Sequence, residues 1–156
     1  MKKLYIYILI MAGFLALNGI ADADEKFKAK LSGAEEVPAV MTDTKGKFQI
    51  KFNSDETAAE YRLKVSDGVR ITQAHIHCGA EGMNGPVVVF LAGFHDLGWD
   101  VDGKWISKAT VTDLNIIDTT CGTDLSELAQ AMRDGNTYVN VHSVANPGGE
   151  VRGQIK

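Results

Sequence analysis

Three of the four histidines in the chain have types and spacings that suit a metal ion. His75 and His77 flank Ile76, and in an extended strand such residues project to the same side with Cα atoms about 6.5 to 7 Å apart. Both imidazoles can then approach one ion at about 2.0 to 2.1 Å. In Tyr138-Val139-Asn140-Val141-His142 the valines take the core side, which leaves Tyr138, Asn140 and His142 on the other. A His-x-His strand plus one histidine from a second strand is a minimal three-nitrogen site for copper or zinc. If the strand ending at His142 pairs with one starting at Glu150, a single register sets His142 opposite Glu150 and Asn140 opposite Arg152. Glu150 would then accept a hydrogen bond from the metal-free nitrogen of a ligand histidine and fix its tautomer. Arg152 would attract an anionic ligand or hold Glu150 in place. His95, in Gly93-Phe94-His95-Asp96, is the candidate for an extra ligand. The same residues also read as surface or hydrogen-bonded histidines that hold no ion.

Cys78 and Cys121 are the two cysteines. In an oxidising compartment an even count reads first as one disulfide, closing a long loop worth about 3 to 4 kcal/mol. The competing reading makes Cys78 a thiolate ligand beside His77. Adjacent strand residues point to opposite faces, which favours the disulfide.

The elements that must position these groups are mostly strands. Phe27, Ala29 and Leu31 alternate with Lys26, Lys28 and Lys30, as do Phe48, Ile50 and Phe52 with Lys47, Gln49 and Lys51. Tyr61, Leu63 and Val65 alternate with Glu60, Arg62 and Lys64. Period two of this kind predicts half-buried antiparallel strands with one wet face. The apolar run Pro86 to Ala92 predicts a strand covered on both sides, and further strands are expected near 104–112, 137–143 and 150–155. Turn signals such as Asn84-Gly85-Pro86 and Asn146-Pro147-Gly148-Gly149 separate them, so the spacing fits an all-β sandwich or a small barrel. One helix is expected, capped by Thr123 or Asp124, with Leu125, Leu128, Ala129 and Met132 on its apolar face and Gly135 at its end.

Met1-Lys2-Lys3, the apolar stretch Leu4 to Leu17 and the small residues of Ala21-Asp22-Ala23 read as a signal peptide over residues 1–23. The remainder, 24–156, is expected to be one periplasmic or secreted domain. It carries 14 basic and 19 acidic residues, a net charge of -5. No Lys/Arg stripe stands out along the chain, so nucleic acid and anionic membrane are poor partner candidates. No second apolar run approaches the length of a membrane span, so no membrane association is expected after cleavage.

Five strings, in order, carry a resemblance. Leu31 to Pro38, Ala74 to His77, Asn84 to Val89, Tyr138 to Ser143 and Asn146 to Ile155 resemble the CHRD domain, the chordin-type family common among exported bacterial proteins. The resemblance covers Phe27 to Ile155. It implies an antiparallel Greek-key β-sandwich, immunoglobulin-like or superoxide-dismutase-like, here with one short helix. It also implies that His75, His77 and His142 are the family's characteristic histidines, and Glu36, Glu150 and Arg152 its characteristic acid and base residues. Cys78, Cys121 and the long segment 94–118 depart from the usual pattern, and a disulfide joining these departures is the simplest reading. The bridging-histidine segment of copper/zinc superoxide dismutase is missing, so that chemistry is not carried over.

Enzyme signatures are sparse. There is no nucleophile elbow and no phosphate loop, and any catalysis would belong to a bound copper acting in redox. Two function classes follow. One is an exported protein holding a copper or zinc ion through the three histidines. The other is a metal-free extracellular interaction module that binds a protein partner or forms a homodimer.

Overall fold

A computed structural model describes residues 24–99 and 102–156, so the expected signal peptide lies outside the described residues. Eight strands form a single antiparallel sheet. In chain order they are β1 (Lys26–Ser32), β2 (Lys45–Phe52), β3 (Ala59–Gly68), β4 (Ile71–Cys78), β5 (Val87–Ala92), β6 (Gly103–Val111), β7 (Thr137–Ser143) and β8 (Val151–Gln154). Their order across the sheet is β5-β4-β7-β8-β1-β2-β3-β6. The sheet curls until its outer strands approach each other. Tyr61 of β3 donates its hydroxyl to the Leu91 carbonyl of β5 at 2.5 Å, and Ser107 of β6 donates to the same oxygen at 2.6 Å. The result is nearly a barrel.

Alternation explains β1, β2 and β3. Phe27, Leu31, Phe48, Ile50, Phe52, Leu63 and Val65 fill the interior while the lysines between them stay in solvent. Each fully buried aliphatic or aromatic side chain contributes about 1.5 to 3 kcal/mol. Helix α1 (Leu125–Arg133) closes one end with Leu125, Leu128, Ala129 and Met132 buried. Asp124 is its cap and accepts from the Glu127 amide at 2.9 Å. Gly135 follows at φ 70°, a left-handed conformation that glycine adopts without a Cβ clash.

One expectation changes. The apolar run of β5 is covered on one face only, with Val88, Val89 and Leu91 turned into the core of the curled sheet while Phe90 on the outer face remains 46% exposed. Register shifts in its pairing with β4 let the consecutive Val88 and Val89 both turn inward. Conversely, the histidine faces of β4 and β7 are not wet. Every residue of β7 is buried, and so are both histidines of β4. The connections β1–β2, β4–β5 and β7–β8 fold across this part of the sheet and cover it. Strand β6 lies within the long segment 94–118 and pairs with β3.

Candidate metal centre

β4 and β7 are direct neighbours, paired His75 to Asn140 and His77 to Tyr138, and this register brings His142 beside the His-x-His. The ring of His142 lies 4.8 Å from that of His75 and 6.4 Å from that of His77, centroid to centroid. One ligand nitrogen from each of the three histidines falls within 4.8 Å of those of the others. Phe90 meets the His75 ring edge-on at 4.7 Å, and Tyr138 stacks on His77 at 4.7 Å.

Hydrogen bonds fix where the protons sit. His77 Nδ1 lies 2.9 Å from the Gly85 carbonyl and His142 Nδ1 lies 2.9 Å from the Pro147 carbonyl. A carbonyl only accepts, so both Nδ1 atoms carry hydrogen and both Nε2 atoms of the neutral rings hold lone pairs. His75 Nδ1 is 3.1 Å from His142 Nε2 and therefore donates to it, which leaves His75 Nε2 as a lone pair as well. The Nε2 atoms of His75 and His77 are buried without a partner. All three rings are held neutral. Burial pushes His75 down to about 3, helped by His142 and His77. Burial likewise pushes His77 down to about 4 against the favourable Gly85 contact, and lowers His142 against that of Pro147.

The register β7–β8 is the expected one, with Asn140 opposite Arg152. Glu150, however, does not orient a histidine. Its carboxylate accepts from Thr42, Thr44, Ser143 and Asn146. Burial raises its pKa, but those four donors outweigh it and leave the group below its usual range. His77 and His142 are oriented by backbone carbonyls instead, and His75 by the Nε2 of His142. A backbone carbonyl fixes the tautomer and orientation of an imidazole as a carboxylate would, through a weaker bond that brings no charge. Neither does Arg152 hold Glu150. It is 2% exposed, donates to Asn84 Oδ1 at 3.0 Å and to the carbonyls of Met83 and Ala80 at 2.8 and 3.2 Å, and lies 3.5 Å from the centre of the Tyr138 ring. Tyr138 thus links the guanidinium to His77.

Glu36 joins from the β1–β2 connection, accepting from Asn140 Nδ2 at 2.7 Å. Burial lifts its carboxyl to about 7, with Arg152 pulling down and Glu150 pushing up. Gly149 passes so close that an added Cβ would stand 2.6 Å from both Glu36 Oε2 and Asn140 Nδ2. Asn140 Oδ1 is buried without a partner.

His95 is not brought to the cluster. It is exposed in the β5–β6 connection and packs beside Trp99. Cys78 and Cys121 meet as a disulfide pair with Cα atoms 5.5 Å apart, which leaves neither thiol for an ion. Thr42, Thr44, Ser143 and Asn146 escaped the sequence reading, since isolated threonines and serines in turns carry no motif.

The model of the CHRD domain matches residues 27–155. The chain belongs to the CHRD family. No curated protein and no solved structure matches it. Within this CHRD domain Glu36, His75, His77, His142, Glu150 and Arg152 are all buried on one side of β4, β7 and β8 or in the connections that cover it.

Proposed function

We propose that this CHRD-domain chain binds a transition-metal ion, copper or zinc, through His75, His77 and His142, as an exported protein of the periplasm or the extracellular space. The observation that carries the reading is the pair of orphaned imidazole nitrogens. A buried polar atom without a partner costs about 1 to 3 kcal/mol, and native structures rarely keep two in one cluster. Here both belong to neutral rings, the form that ligates. His77 is braced by the Gly85 carbonyl, whereas His75 leans on His142 Nε2, which must give up that hydrogen bond to ligate an ion. An all-nitrogen set suits copper and zinc better than calcium or magnesium, which prefer oxygen. Three protein ligands also leave room for water or an exogenous ligand. The finer reading of the fold, a Greek-key β-sandwich, rests on the family resemblance alone, since the strands form one curled sheet.

The deciding experiment is a metal titration of chelator-stripped protein, followed by competition for affinity. One zinc or copper per chain is expected. His75→Ala with His142→Ala should lose more than about 100-fold in affinity, since even outer partners of a ligand cost 10- to 100-fold. Unchanged affinity in a variant with native circular dichroism would overturn the assignment.

A further inference from the structure

The other half of the sheet presents a different surface. Lys26, Lys28 and Lys30 point outward from β1, and Lys45, Lys47 and Lys51 from β2. Arg62 and Lys64 of β3 and Lys104 and Lys108 of β6 extend the same face. These are ten of the 14 basic residues after position 23, in a stretch whose net charge is -5. Glu60 is the one acidic residue at the outward ladder positions. Read along the chain, the lysines alternate with apolar residues and form no stripe. Strand pairing is what gathers them.

The register places like charges side by side. Lys30, Lys47 and Lys64 stand directly opposite one another across three strands, and Arg62 stands opposite Lys108. Directly opposed like charges destabilise a sheet. Among the described residues only Lys51 of the ten has a carboxylate in ion-pair range, that of Asp24. The cations form a grid with spacings of about 4.8 Å across the strands and about 6.8 Å along them.

We propose that this face docks on a bilayer leaflet rich in anionic phospholipid. The array extends in two dimensions over the convex outer face of the curled sheet, so a field of headgroups meets several charges at once, whereas a linear polyanion meets one row at a time. Nine of the ten are lysines, point charges suited to dispersed phosphates rather than to the bidentate recognition that arginine provides. No aromatic side chain projects from the grid, so it offers no platform for stacking bases. In the sheet order, β1, β2, β3 and β6 lie to one side of β8, and β4 and β7 to the other, so docking leaves the histidine half free. The inference stands without the metal assignment.

The test is co-sedimentation of the exported protein with vesicles of phosphatidylcholine alone and of phosphatidylcholine mixed with phosphatidylglycerol. Binding to the mixed vesicles only, weakening with added salt, is expected. Each engaged lysine contributes about five-fold to partitioning, so Lys30→Gln/Lys47→Gln/Lys64→Gln should lower it about 100-fold. The triple variant should melt no lower than the parent, because it removes opposed charges. Equal partitioning onto both vesicle types, no partitioning at all, or a folded triple variant that binds like the parent would overturn the proposal. So would tighter binding to duplex DNA or to an acidic polysaccharide than to the vesicles at the same salt.

Discussion

Acidifying the metal-free protein from pH 7 to pH 5 sets two opposed groups of buried side chains against each other. His75 and His77 titrate at about 3 and about 4 in the folded chain against 6.5 when free. Lowered pKa values of a base mean stability that is present above 6.5 and drains as the unfolded chain takes up protons that the native state refuses. By pH 5 each of the two has withdrawn about 2 kcal/mol, and His142 acts in the same direction. Glu36 works the other way. Its carboxyl, raised from 4.5 to about 7, favours folding fully below 4.5 and loses that contribution as pH rises through 7. Between pH 7 and pH 5 it therefore returns about 2 kcal/mol, reduced to about 1 to 2 by solvent screening. Glu36→Gln keeps the acceptor for Asn140 and removes the titration. The variant should exceed the parent in stability at pH 7, and the gap should close by about 1 to 2 kcal/mol at pH 5. Urea unfolding with chelator present and the disulfide intact measures both curves. A parent that gains stability on acidification, or a Glu36→Gln curve parallel to that of the parent, would refute the reasoning.

Two further outcomes follow from the site and its bracing. Arg152→Lys retains the charge but not the fork that reaches Asn84, Met83 and Ala80, and should cost about 2 to 4 kcal/mol in urea unfolding. Replacing both Cys78 and Cys121 with alanine opens a loop spanning 43 positions and should cost about 3 to 4 kcal/mol, read as a lower denaturation midpoint with an altered slope.

Much of the scaffold was legible because period two is a local signal. β1, β2, β3 and β7 and helix α1 follow from apolar spacing, from Asp124 and from Gly135. The two histidine strands could be recognised by the same logic, and the β7–β8 register by the short turn between them. Alternation cannot tell a solvent face from a polar core, however. Asn140 and His142 read as the polar side of their strand, open to either fate, and are buried because three connections cover them. Which acceptor braces which imidazole was equally hidden, since the Gly85 and Pro147 carbonyls belong to backbone and carry no residue type. The cationic grid escaped for a third reason. Its rows run across strands, perpendicular to the direction in which a sequence is read.

The cover over the imidazoles is built from turns, and the floor beneath them from paired strands. Turns can swing aside without parting any strand from its neighbour, whereas the floor separates only when the whole molecule comes apart. Local opening of this cover is therefore separable from global unfolding. Changes in the covering turns can alter how quickly the buried imidazoles meet solvent while the durability of the scaffold stays as it was.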